Sequence, residues 1–170
     1  MGGGTAPFGR GLSALLWYNF RMFIVSACLL GFRTRFDGTE ARLDDRQREK
    51  MMRLLLEGKA VPICPEQLGG LPTPRAKIEF RGGDGDALLD GISRAYSEEG
   101  LDCSNILKNG AQEVLRIARL YGIKRAILKD GSPSCGVTYV YIDGKRASGI
   151  GVTTSVLRRS GIEVATIDSL

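Results

Sequence analysis

Residues 23–28 read FIVSAC, a short apolar run rich in β-branched side chains that ends in a cysteine. Such a run predicts a strand buried on both faces, as in a parallel sheet. Residues 60–63 (AVPI) repeat the pattern and are followed at once by Cys64, and residues 126–128 (AIL) precede a loop that contains Cys135. The chain therefore places a buried strand before a cysteine at three distant positions.

Amphipathic helices are predicted between and after these strands. Residues 43–58 and 109–121 carry apolar side chains at helical spacing; the first run ends at Gly58, and Gly122 directly follows the second. A last helix over residues 152–159 precedes a closing strand over 164–167. Strands that alternate with helices predict an α/β fold, here a single-domain Rossmann-like open sheet, mainly parallel, with helices on both faces.

Two other segments receive weaker structural predictions. Residues 65–94 are rich in Gly and Pro and are predicted to be mostly loop. Residues 140–144 (VYIDG) predict an edge strand or one arm of a hairpin.

Residues 1–21 differ from the rest and are predicted to be an N-terminal extension to an α/β domain at 22–170. They are Gly-rich and then apolar from 12 to 20, a run too short to span a bilayer, which needs about 20 apolar residues. The preferred interpretation is an upstream start, with Met22 opening the working domain. A structured extension packed on the domain, a signal peptide or an interfacial anchor are the alternatives.

The overall composition excludes several classes of protein. The 170 residues are 43% hydrophobic and 25% charged, as in one globular domain. Histidine is absent, which excludes Ser-His-Asp and Cys-His catalysis and most catalytic zinc sites. Four cysteines are too few for a small disulfide scaffold and predict a reducing, cytoplasmic setting.

The net charge of +5 is spread along the chain. It suits a plain solvated surface, an anionic small molecule or weak nucleic-acid contact. Basic and aromatic residues are not interleaved as in single-strand binders, so no stable nucleic-acid partner is predicted.

Cys28, Cys64 and Cys135 are predicted to lie together, because the carboxyl ends of parallel strands share one edge of a sheet, where ligands bind. Three thiolates without histidine favour a soft metal or an iron–sulfur cluster, with zinc as the nearest alternative. Cys103 lies apart from strand ends and is predicted to be a small buried apolar residue.

Five other residues are candidates for the site, each with an ordinary structural alternative. Glu66, two residues after Cys64, is a candidate general base, or else a surface or loop-capping carboxylate. Ser132 and Ser134 can orient a substrate or relay a proton, or serve turn formation. Lys129 can neutralise an anion or be solvated. Thr153, in the Gly-rich segment 149–154 at the start of the last helix, can help bind an anion or a base carbonyl, or cap the helix.

These motifs resemble a bacterial family long catalogued as a domain of unknown function and related to thiouracil desulfurase. The resemblance covers about residues 22–168 and rests on these segments: 24–31 (IVSACLLG), 35–38 (RFDG), 62–75 (PICPEQLGGLPTPR), 127–129 (ILK), 132–136 (SPSCG), 151–153 (GVT) and 157–159 (LRR). It implies a [4Fe–4S] cluster on Cys28, Cys64 and Cys135, with Glu66 as catalytic acid and Ser132 as catalytic serine. Many members carry a further cysteine where this chain has Thr34, which excludes a fourth ligand there.

The resemblance does not fix the substrate among thiolated compounds. Our hypothesis is that the substrate is a thiolated nucleobase such as thiouracil, with C=S converted to C=O without redox chemistry. The partner is then a small thiolated base, and the protein is expected to be a monomer or homodimer without a membrane span. The alternatives are a non-catalytic iron–sulfur or zinc module that senses redox state or binds a partner, and a desulfurase that acts on thiolated RNA.

Overall fold

The computed structural model describes residues 22–169, so the predictions for residues 1–21 lie outside the described part of the chain. The strands, in chain order, are β1 (Phe23–Ser26), β2 (Ala60–Ile63), β3 (Ile78–Arg81), β4 (Arg94–Ser97), β5 (Arg125–Ile127), β6 (Tyr139–Ile142), β7 (Lys145–Ser148) and β8 (Glu163–Ala165). The α-helices are α1 (Asp45–Leu56), α2 (Pro65–Leu68), α3 (Gly85–Leu89), α4 (Ser104–Leu120) and α5 (Val152–Arg159), and short 3₁₀ helices lie at Ala27–Leu30 and Ile167–Ser169.

Four strands form a parallel sheet in the order β2-β1-β5-β8. Alternate residues of β1 point to opposite faces, as the pleat requires. Ile24 belongs to the apolar cluster that includes residues of α4 and α5, whereas Val25 packs in the cluster with Met51 of α1. Helices therefore cover both faces, and the predicted α/β fold with a mainly parallel sheet is confirmed.

A second sheet, in the order β4-β3-β6-β7, was not predicted. Strand β3 pairs antiparallel with β4 and parallel with β6. The prediction that residues 65–94 are mostly loop was therefore wrong in part, because they include α2, β3, α3 and the start of β4. The predicted hairpin arm is β6, which joins β7 through a turn at Asp143 and Gly144, both with positive φ.

Helix α4 begins five residues earlier than the predicted start at residue 109, because Asn109-Gly110 has the composition of a helix break but lies inside the helix. No helix among residues 22–169 is both long enough and apolar enough to cross a bilayer.

Candidate metal centre

A cavity of about 160 Å³ opens where strands β1, β2 and β5 end. Its wall includes six of the residues singled out in the sequence: Cys28, Cys64, Glu66, Lys129, Ser132 and Cys135. Ligands of open α/β sheets bind at this edge, outside the carboxyl ends of the strands. The structure thus brings together all three predicted cysteines and the predicted acid and serine.

Each cysteine reaches the cavity from a different element. Cys28 is buried in the 3₁₀ helix that follows β1, and Cys135 is buried in the loop after β5. Cys64 is half-buried and is the N-terminal capping residue of α2, immediately after β2. All four cysteines of the chain are free thiols.

Burial makes negative charge costly at the sulfurs of Cys28 and Cys135. Burial raises the pKa of Cys28 to about 11, with Lys129 opposing the rise and the nearby thiol of Cys64 adding to it. Burial likewise raises the pKa of Cys135 well above its ordinary value, opposed by a hydrogen bond from Ser26. Neutral thiols are therefore expected without a counter-charge, and a bound cation would be needed to hold them as thiolates.

The donor set fits an iron–sulfur cluster. Within residues 22–169, no three Cys, Asp or Glu side chains come together tightly enough to hold a single metal ion. A zinc ion needs all of its thiolates about 2.3 Å from one point. A four-iron cluster binds each thiolate through its own iron, so its ligands stand around a larger group. Cys28, Cys64 and Cys135, which line one cavity, are the residues that can hold it.

The loop that carries Cys135 folds around one carboxylate, that of Asp130. Oδ1 of Asp130 accepts hydrogen bonds from the backbone N–H groups of Val137 (2.8 Å), Thr138 (3.0 Å) and Tyr139 (3.1 Å). Burial works to raise the pKa of Asp130, but hydrogen bonds from Thr138 and from this backbone outweigh it and lower the pKa. Sequence reasoning did not single out Asp130, because its partners are loop amides seven to nine residues away.

The first residues of helix α5 hold the same loop through backbone hydrogen bonds. The N–H groups of Val152 and Thr153 donate to the carbonyls of Pro133 and Ser134, both at 2.9 Å. A Cβ on Gly151 would lie 2.4 Å from the Ser134 carbonyl oxygen, so only glycine permits this approach. These amides are therefore engaged by the loop, and the idea that they bind an anion is not supported.

Glu66 and Ser132 are in direct contact. The Ser132 hydroxyl donates to Oε1 of Glu66 at 3.2 Å and accepts the N–H groups of Ser134 (3.1 Å) and Cys135 (3.2 Å). The other carboxylate oxygen of Glu66, Oε2, forms an ion pair with Nε of Arg75 at 2.6 Å. The alternative that Glu66 is a surface carboxylate is wrong, because the residue is only 8% exposed.

The part of the chain that builds this site also matches a known family. A sequence model described as 2-thiouracil desulfurase matches residues 23–169. The chain belongs to the 2-thiouracil desulfurase family.

Two relatives agree with this assignment to the 2-thiouracil desulfurase family. The protein YbbK of Bacillus subtilis (strain 168), described as uncharacterized, is 37% identical over 152 residues, which cover 88% of this chain and 97% of YbbK. A solved structure of the [4Fe-4S]-dependent thiouracil desulfidase TudS (DUF523Vcz) is 39% identical. It superposes with a TM-score of 0.75 and covers 88% of this chain and 93% of that chain. The predicted family resemblance is confirmed.

The three residues predicted to bind substrate occupy different places in this desulfurase-family fold. Lys129 lines the cavity, and its ammonium group donates to the Asp130 carbonyl at 2.8 Å. Ser134 and Thr153 are fully buried, and neither residue lines the cavity. Their hydroxyl oxygens have no hydrogen-bond partner. The cavity does not support direct contact between these two hydroxyls and a substrate, and their role stays a prediction.

Two supporting features of the desulfurase fold escaped sequence reasoning. Arg75 is the last residue of the segment 62–75, and the proline-rich sequence around it did not predict its contact with Glu66. Gly110 of α4 looked like a helix break, yet a Cβ there would lie 1.9 Å from the Pro65 carbonyl oxygen. Because glycine has no Cβ, α4 can pack closely against α2, the helix that directly follows Cys64.

Cys103 lies outside the cavity wall, as predicted. It is 1% exposed, belongs to the main apolar cluster, and its thiol contacts the Leu101 carbonyl oxygen at 3.5 Å. The prediction of a small buried apolar residue is confirmed.

Proposed function

We propose that this protein is a [4Fe–4S]-dependent desulfurase that hydrolyses a thiolated pyrimidine base such as 2-thiouracil. The observation that carries the proposal is the shared cavity, in whose wall three cysteines stand beside a buried acid–serine pair. Family membership and the 39% identity to a [4Fe-4S]-dependent thiouracil desulfidase support it.

The reaction balances as hydrolysis. The thiolated base and water give the base with C=O and hydrogen sulfide, and no electrons are gained or lost. A bound cluster held by Cys28, Cys64 and Cys135 would supply a Lewis-acidic iron with an open coordination position for the substrate's sulfur. No redox partner is required for this stoichiometry.

Glu66 is the proposed general base. Its Oε2 is held by Arg75, which leaves Oε1 directed at the Ser132 hydroxyl and available to accept a proton from the attacking water. The carboxylate and the serine line the same cavity as the cysteines, so a substrate bound in that cavity would stand beside the proposed base.

Ser132 is the proposed proton relay. Two backbone N–H groups donate to its oxygen, and such donors stabilise negative charge that develops when a hydroxyl gives up its proton. Ser132 can therefore pass a proton to the ring or to the departing sulfur and recover one through Glu66. Lys129, which also lines the cavity, is proposed to neutralise anionic charge on the substrate.

The proposed setting is a reducing cytoplasm, because all four thiols are unpaired. A free base is the proposed substrate, and the protein is proposed to act as a monomer or homodimer.

Turnover in ¹⁸O-labelled water tests the proposal. Anaerobically reconstituted protein is given 2-thiouracil, and the products are analysed by mass spectrometry and sulfide assay. The expected result is one ¹⁸O in each uracil formed and one sulfide released per uracil. Turnover of thiolated tRNA but not of the free base would overturn the proposed substrate, and a loaded cluster with turnover of neither would favour a sensor module.

A further inference from the structure

All three nitrogens of the Arg75 guanidinium group make polar contacts at the cavity wall. Nε donates to Glu66 at 2.6 Å, Nη1 donates to the Pro72 carbonyl (3.2 Å) and the Thr73 hydroxyl (3.0 Å), and Nη2 donates to the Thr34 carbonyl at 3.2 Å. Nη2 also lies 4.0 Å from the sulfur of Cys64. A guanidinium has five N–H donors and no acceptor, so these contacts account for every donor.

The burial of Arg75 shows that these contacts are not an ordinary surface ion pair. Its side chain is 6% exposed and that of Glu66 is 10% exposed. Removing one partner of such a pair leaves the other charge buried and uncompensated. Surface pairs of this protein differ, since the Arg159 side chain, which pairs with Asp86 and Asp90, is 46% exposed.

The contacts join two segments of the cavity wall, at Thr34 and Glu66, to the loop that follows α2. Thr34 follows the 3₁₀ helix that carries Cys28, Glu66 belongs to α2 after Cys64, and Thr73 lies in the following loop. The planar fork of arginine can hold several acceptors in fixed directions, whereas lysine offers a single flexible ammonium group. Only arginine can keep the Glu66 carboxylate oriented and still reach Thr34 and Cys64.

We propose that Arg75 is a positioning residue that holds the Glu66 carboxylate toward Ser132 and places a positive charge beside the Cys64 sulfur. The proposal rests on the proposed function, because it assigns the orientation of the proposed base. It also makes a claim independent of turnover, namely that Arg75 influences the group that Cys64 binds.

The first test is a double-mutant cycle on turnover of 2-thiouracil. Arg75→Lys is expected to lower kcat about 10- to 100-fold, the usual range for residues that orient a functional group, with a smaller change in KM. In a Glu66→Gln background the same change is expected to cost nothing more, because Arg75 acts through Glu66. Arg159→Lys is the matched control and should leave kcat, KM and iron content unchanged.

The second test measures the midpoint potential of the reconstituted cluster. Arg75→Gln is expected to lower it, since a positive charge beside a thiolate ligand favours the reduced, more negative cluster. Arg75→Lys should shift it less, and Arg159→Gln should not shift it. Should Arg75→Gln fail to fold, Arg75→Lys still supplies both measurements.

The outcomes separate the two proposals. If the losses of Arg75→Lys and Glu66→Gln multiply and the potential of each Arg75 variant equals that of the wild type, Arg75 is only a structural clamp and the inference is overturned. If wild-type protein loads a cluster but never turns over a thiolated base, while Arg75→Gln still lowers the potential, the proposed function fails and the contact with Cys64 stands.

Discussion

Cys135 and Cys103 are both buried and both follow a strand and a loop, yet they stand in different regions. Cys135 follows β5 of the parallel sheet and lines the cavity, with Cys28 and Cys64 in the same wall. Cys103 follows β4 of the second sheet and packs in the apolar core at the start of α4. The sheet and direction of the preceding strand, rather than burial, therefore decide whether a cysteine lies near the other cysteines.

The comparison is tested most severely by exchanging each cysteine for serine. Cys135→Ser is expected to abolish cluster binding and turnover, a larger loss than the roughly 100-fold seen for groups that only support a ligand. Cys103→Ser should keep the cluster and its activity and should cost about 1–3 kcal/mol of unfolding free energy for burying a hydroxyl. Iron content, absorption near 400 nm and chemical unfolding measure these effects. Loss of the cluster in Cys103→Ser would contradict the assignment of Cys103 to the apolar core.

The next effect concerns the acid that stands beside the cysteines. Glu66→Gln keeps the shape of the side chain but removes the proposed base, so turnover should fall about 10²- to 10⁴-fold while iron content stays unchanged. Glu113→Gln is the control, because Glu113 lies on the outer face of α4, paired with Arg116. Full activity in Glu66→Gln would remove this residue from the mechanism.

A smaller effect, on the free energy of unfolding, is expected where α4 packs against α2. Gly110→Ala would place a Cβ 1.9 Å from the Pro65 carbonyl, so α2 must shift. We expect a loss of about 1–3 kcal/mol in unfolding free energy from overpacking. Without this clash, alanine in place of glycine usually stabilises a helix by about 1 kcal/mol.

Asn109→Ala, at an exposed position of the same helix, is the matched control and should be neutral or stabilising. Urea unfolding of both variants measures the difference. A Gly110→Ala protein as stable as Asn109→Ala would show that the close approach of α4 and α2 is unimportant.

The smallest effect is a pH dependence in the Cys135 loop. The pKa of Asp130 is lowered in the folded state, so its carboxylate contributes stability above its unfolded pKa, and this contribution is lost as the pH falls. Asp130→Asn should therefore be less stable than wild type at neutral pH, by about 1 kcal/mol as for one hydrogen bond, and the gap should close below about pH 4. Thermal unfolding between these pH values checks it, and a constant gap would contradict the assignment.

The parallel sheet could be predicted because its strands carry a local signal. The apolar runs of β1, β2 and β5 each predict a strand without reference to the rest of the chain. Strands β1 and β5 are largely buried, whereas β2 lies at the edge of the sheet and only its Ile63 is buried. Strand β3 could not be predicted in this way, because four residues between Gly- and Pro-rich stretches acquire their structure from distant partners. Phe80 of β3, for example, pairs with Ile142, which is far away in the sequence.

In the candidate site too, some residues could be predicted from the local sequence and others could not. The cysteines follow local strand signals. Glu66 and Ser132 were candidates because they lie close to Cys64 and Cys135 in the sequence, and the family resemblance supported them. The structure places the Ser132 hydroxyl 3.2 Å from Oε1 of Glu66. Arg75 and Asp130 were not predicted as part of the site, because their importance lies in contacts made only when the loops fold. The full burial of Ser134 and Thr153 was likewise invisible in a sequence that reads as an open turn and a helix start.

The most direct test of the central claim is turnover as a function of iron content under anaerobic conditions. Protein reconstituted to increasing extents with iron and sulfide is assayed for release of uracil and sulfide from 2-thiouracil. The account predicts saturation at about four irons per chain, as for a [4Fe–4S] cluster, with activity proportional to occupancy and absent in Cys28→Ser, Cys64→Ser and Cys135→Ser proteins. Iron-independent activity, or a chain that binds no cluster while the three cysteines are individually replaceable, would contradict it.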